Sequence, residues 1–163
     1  MKLKKLHFVI TIIVIAILSR LIPHPPNFTP ITAIALFSII NFKNKYIGLS
    51  IPIVCLLISD LVIGISLINL FVYLSFIVIS GVGYIFDKIH LKSILLSSLI
   101  FFLVTNFGVW LIGYPNTLEG FIACYIAAIP FFGWTLAGDL FYSYSAKLSL
   151  NLFEKNYISV NTN

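Results

Sequence analysis

The stretch at 46–86, YIGLSIPIVCLLISDLVIGISLINLFVYLSFIVISGVGYIF, holds 41 residues and a single charge, Asp60. At the helical rise of 1.5 Å per residue it would reach about 60 Å, twice the roughly 30 Å of a bilayer's hydrocarbon core. It must therefore fold back once, and the turn formers Gly64, Ser66 and Asn69 mark where. Two antiparallel apolar helices result, over about 46–65 and 67–86.

The same character extends outward to the whole chain. Its 163 residues are 60% hydrophobic and 9% charged, with a mean hydropathy of +1.09. A soluble domain carries about 25% charged residues, so the composition specifies an all-α integral membrane protein. Further spans are expected over about 6–22, 28–42, 93–113 and 118–146, making one six-transmembrane-helix bundle over 1–150 with a polar cytoplasmic tail over 151–163. The apolar start follows three lysines but lacks a small-x-small cleavage site, so it reads as an uncleaved first span. The second span is the short one. Residues 31–42 reach only about 18 Å, so it must borrow length from 27–29 or thin the bilayer. The last, about 44 Å if straight, must tilt, kink at 130–133 or protrude.

Charge placement sets the orientation. Six spans put Lys2, Lys4, Lys5, Lys43, Lys45, Lys88, Lys92, Lys147 and Lys155 on one side and no lysine on the other. By the positive-inside rule, both termini are cytoplasmic. The net charge of +5 is this pattern rather than a nucleic-acid footprint, and the partner it implies is the lipid bilayer. Cys55 and Cys124 lie in apolar runs without CxxC spacing, so buried free thiols are expected and no metal site or cofactor is. No HExxH, GxSxG, P-loop or paired carboxylates occur, and Gly81-Val82-Gly83 lies inside a span. The chain does not read as an enzyme.

Pro23-His24-Pro25-Pro26-Asn27-Phe28-Thr29-Pro30 separates the first two spans. Four prolines forbid helix there, and irregular backbone at a membrane's edge needs protein or a wet cavity to satisfy it. The stretch reads as one wall of a binding site, or else as a rigid turn. Charges inside spans are costly and mark functional candidates. Arg20, Asp60 and Asn106 fall near one outward-facing level, with His24, Asn27, Trp110 and Tyr114. These seven are the candidate substrate-binding residues, suited to a small polar or heterocyclic molecule. The competing readings are an Arg20–Asp60 pair that only locks the first helix to the third, and Trp110 and Tyr114 as interfacial aromatics. Asp139 falls nearer the cytoplasmic face, where Gly133 and Gly138 permit close helix approach. It is assigned to helix contact, coupling to a partner or a proton step. His7 and His90 are expected to be solvated at the cytoplasmic edge.

Arg20, the 23–30 stretch and Ala33-Ile34-Ala35-Leu36-Phe37 together resemble an uncharacterised bacterial family of candidate transport proteins. So do Ser59-Asp60-Leu61, Asn106-Phe107-Gly108-Val109-Trp110, the block from Cys124 to Phe132, and Thr135-Leu136-Ala137-Gly138-Asp139-Leu140. That family is similar to the substrate-binding (S) components of energy-coupling factor (ECF) transporters, which take up vitamins and trace nutrients through a bacterium's cytoplasmic membrane. The resemblance implies a six-helix bundle with substrate near the outer face, covered by the 23–30 and 113–117 loops. It also implies a transmembrane coupling protein and two ATPases as partners. Many S components dock through an Ala-x-x-x-Ala pattern on the first helix; here that helix has only Ala16, which leaves a solitary mode of uptake open. A non-transporting accessory or assembly membrane protein is the alternative function.

Overall fold

In the computed structural model, backbone is described for residues 2–161 and side chains for 10–152 apart from residue 12. The expectations for Lys2, Lys4, Lys5, His7, Lys155 and the tail's side chains beyond 152 lie outside the described residues. Among the described residues the chain forms six helices: α1 (Lys2–Leu21), α2 (Ile31–Asn41), α3 (Lys45–Ile63), α4 (Ile68–Phe86), α5 (Leu91–Gly113) and α6 (Leu118–Asn161). Four of them, α3 to α6, are long and apolar enough to cross a membrane. Their outer faces carry large apolar side chains, such as Leu61, Leu70, Ile85 and Ile126, that a bilayer would cover. The described residues form an all-helical fold with four helices able to cross a membrane.

The expected turn between the third and fourth helices is present. Gly64 caps α3 with φ of 119°, a conformation open to glycine, and α4 begins four residues later. Pro52 and Pro130 both lie inside continuous helices. The last helix does not stop near 146 but continues to Asn161. His90 is not merely solvated. Its imidazole accepts from Ser93 N at 3.2 Å while Ser93 Oγ accepts from His90 N at 3.1 Å, a reciprocal cap on α5.

The second helix departs most from expectation. It starts at Ile31 and runs 11 residues, about 16 Å, half a membrane's thickness. It needs no more, because it does not face lipid. It packs against all five other helices, and every residue over 31–39 is buried. A helix apolar on all sides is a core helix, and here it supplies Ile31, Ala35, Leu36 and Phe37 to a core completed by Cys55, Leu56, Phe76, Ile79 and Ile94. Its last carbonyls find donors: Asn41 Nδ2 on Phe37 O at 2.9 Å and Lys45 Nζ on Ile39 O at 2.6 Å.

Close approach at this end depends on glycine. A Cβ on Gly48 would lie 3.0 Å from both Ile39 Cα and Ser38 O, and Ser38 Oγ donates to Gly48 O at 2.7 Å. Gly81 has open space where its Cβ would be. Gly48→Ala should therefore destabilise the protein by about 1–3 kcal/mol through overpacking against backbone. Gly81→Ala should be neutral or stabilising by up to about 1 kcal/mol from helix propensity. Unfolding midpoints in detergent check both; equal effects would contradict this packing.

Candidate functional site

Two polar centres stand on either side of the first turns of α4. In the first, Arg20 from the last turn of α1 meets Asp60 on α3, with Nη2–Oδ1 at 2.9 Å. Arg20 Nη1 also donates to Ser59 Oγ and, at 3.4 Å, to Leu56 O. The other carboxylate oxygen, Oδ2, accepts from Asn69 Nδ2 and Tyr73 Oη, both at 2.7 Å. Asn69 Oδ1 in turn accepts from Ser66 N at 3.0 Å and Ser66 Oγ at 2.7 Å. Asp60's side chain is 2% exposed and that of Arg20 15%. A buried ion pair is tolerable only when hydrogen bonds satisfy its other polar sites; here both carboxylate oxygens and three guanidinium donors are engaged.

The second centre is a cavity of about 170 Å³ between α4, α5 and α6. Asn27 contributes from the 22–30 loop, Ile68 and Val72 from α4, and Phe131, Phe132 and Thr135 from α6, with five residues of α5, Asn106 among them. Asn106 Nδ2 donates to Phe102 O at 2.7 Å, one turn back, and among the described residues no donor reaches its Oδ1. Its carbonyl oxygen is left for the cavity. On α4, Ile68 and Val72 line the cavity while Asn69 and Tyr73 hold Asp60. A step of one residue turns a helix by about 100°, so the two centres share a wall.

The 22–30 loop turns from an exposed face toward α6. Pro25 O accepts from Phe28 N at 3.0 Å, and Thr29 N donates to Asn27 O at 2.9 Å. Asn27 takes φ of 62°, a left-handed conformation that asparagine tolerates better than most residues. Phe28 then inserts against α6, its ring 5.4 Å from Tyr142 and 6.0 Å from Phe141. Gly138 makes room, since a Cβ there would sit 3.0 Å from Phe28 Cα. Position 138 lies about 30 Å along α6 from its start, so the loop's last residues reach that level of the bundle; residues 22–27 are exposed, Phe28 and Thr29 half-buried and Pro30 buried.

The seven expected binding residues therefore do not converge. Arg20 and Asp60 meet each other; Asn27 and Asn106 meet at the cavity. His24 is exposed, its Nδ1 2.8 Å from Pro25 O. Trp110 Nε1 donates to Pro115 O at 3.1 Å and its ring packs on Phe107 and Phe121. Tyr114 ends α5. Neither aromatic, nor any residue of the 114–117 turn, lines the cavity. Tyr73, Asn69, Thr105 and Thr135 also belong to the two centres; in the sequence only the four-residue spacing of Asn69 and Tyr73 hints at the first pair.

Asp139 occupies a third place, at the junction of α2, α5 and α6. It is buried, accepts from Ser98 Oγ at 2.6 Å and has the Thr32 hydroxyl beside it. It thereby links α5 to α6.

A model of a family of unknown function, DUF6580, matches residues 1–160. The chain belongs to that family. No curated protein and no solved structure matches it.

In this family member the ion pair should dominate stability. Arg20→Leu leaves Asp60 buried without its cation and should cost about 3–5 kcal/mol. Asn27→Gly keeps the backbone's conformation and should change stability by under about 0.5 kcal/mol. Comparable losses in chemical unfolding would contradict the assignment. Asp139→Ala removes the hydrogen bond between α5 and α6, leaving Ser98 Oγ to Ile94 O, and should cost about 0.5–1.5 kcal/mol, whereas Asp139→Asn keeps an acceptor and should cost less in the same measurement.

Proposed function

We propose that the protein is the substrate-binding subunit of a membrane transporter that imports a small nutrient, a vitamin or cofactor precursor, across a bacterium's cytoplasmic membrane. The observation that carries this reading is the cavity, which presents the unpartnered carbonyl of Asn106 opposite a loop residue, Asn27. A cleft with mostly apolar walls and a few convergent polar groups is the usual form of a small-molecule site. Lysines 43, 45, 88, 92 and 147 gather at one end of the bundle, where Lys147 Nζ donates to Ile89 O at 3.1 Å. Taking that end as cytoplasmic sets the cavity in the outer half, with both termini inside.

The resemblance to ECF S components supports the same reading, with a coupling protein and ATPases supplying the energy. Docking would not use small residues on α1, because Ala16 is buried within the bundle while Ile10, Val14, Ile15 and Leu18 face outward. A coupling protein would meet a bulky apolar face, and solitary uptake is the other mode. The second reading, an accessory membrane protein, is favoured by one observation: both oxygens of the buried Asp60 are occupied by protein groups without any ligand.

Thermal unfolding of the purified protein against a panel of vitamins and cofactor precursors tests the proposal. A ligand at a hundredfold excess over Kd adds about 2.7 kcal/mol to the folded state. One compound should raise the transition in the native protein and fail to do so in Asn106→Ala, and that compound should accumulate in vesicles containing the protein with its energy source. Binding without accumulation would remove the transport reading. A destabilised Asn106→Ala with no responsive compound would favour the accessory reading.

A further inference from the structure

The lining of the cavity restricts the charge of its occupant. Of its eleven lining residues none is ionisable; four are polar, Asn27, Thr105, Asn106 and Thr135, and seven are apolar. The nearby charges are already committed. Arg20 directs both terminal nitrogens at α3, and both oxygens of Asp60 are occupied by Arg20, Asn69 and Tyr73. An ion entering the cavity would lose water and gain no counter-charge, which is the costliest form of burial.

Size and wall chemistry narrow the class further. A cavity of about 150 Å³ with apolar walls accommodates benzene, so about 170 Å³ holds one ring and a short substituent. Four phenylalanines, 101 and 102 on α5 and 131 and 132 on α6, form the apolar wall, with Phe102 and Phe132 rings 4.9 Å apart. Flat rings pack on such walls by offset or edge contacts.

The polar atoms have a direction. Thr105 Oγ1 donates to Phe101 O at 2.7 Å and Thr135 Oγ1 to Phe131 O at 2.9 Å, so each hydroxyl retains only acceptor capacity. Asn106 spends one of its two N–H donors on Phe102 O and keeps the other together with Oδ1. The helices thus offer three acceptors and one amide N–H, a set that a ligand carrying both an N–H and a C=O complements. We propose that the cavity takes an uncharged, planar, single-ring molecule bearing an N–H donor edge, of the primary carboxamide or lactam kind. This rests on the cavity being the substrate site, as proposed above.

Benzamide, benzoate and benzamidinium match in size and shape and differ in charge. Thermal unfolding of the detergent-purified full chain with each, at about twenty times a millimolar Kd, reads the preference. Benzamide should raise the transition by a few degrees, and the other two should not. The shift should vanish in Asn106→Leu, or in Thr135→Val should that variant fold poorly. An equal or larger shift with benzoate or benzamidinium overturns the inference, as does no Asn106-dependent shift with benzamide. Benzamide binding without uptake in vesicles would leave the ligand class standing and remove the transport reading. Asn106-dependent uptake of an organic anion would do the reverse.

Discussion

A guanidinium and a carboxylate held in contact inside an apolar bundle constrain everything around them. Neither can leave without stranding the other at several kcal/mol, so Arg20 and Asp60 tie the end of α1 to α3. The remaining oxygen of Asp60 reaches across to Asn69 and Tyr73, which recruits α4 to the same anchor. Asn69 also closes the short turn between α3 and α4 through Ser66. Three helices and one turn are thereby set by two side chains. On the adjoining face of α4, Ile68 and Val72 wall the cavity.

The half-length α2 is the second constraint, and it follows from burial. A lipid-exposed helix must span the hydrocarbon core, but α2 is enclosed by its neighbours and its length answers only to them. The proline-rich loop that leads to it runs along an exposed face, and its end packs at Gly138, Phe141 and Tyr142 through Phe28. Non-helical backbone can persist at such depth only when protein encloses it or a cavity hydrates it. Asn27 and Phe28 divide these roles, one at the cavity and the other packed on α6.

Height along a helix was legible from the residues; rotation about it was not. Counting 1.5 Å per residue put Asp60 and Asn106 at a similar depth and made the meeting of Arg20 with Asp60 a natural expectation. The same counting could not say that Asp60 faces α1 while Asn106 faces α6. In soluble helices the apolar stripe supplies that angle. Here α3 to α6 are apolar on the lipid side as well as the protein side, and lipid tails are as apolar as leucine. The phenylalanine pairs at 101–102 and 131–132 therefore looked like any membrane-facing residues. For the same reason the short α2 reads from sequence as a lipid-facing span that must borrow length or thin the bilayer: apolarity alone does not distinguish lipid from protein as the surrounding medium.

The central claim is a division of labour, with charges holding the bundle and an uncharged cavity binding the ligand. The most direct test is the Arg20→Gln/Asp60→Asn double variant, with stability and benzamide affinity measured on the same folded sample. The account predicts lower stability and an affinity within about threefold of the native protein, under 1 kcal/mol. Loss of benzamide binding in a variant that keeps native stability would contradict it.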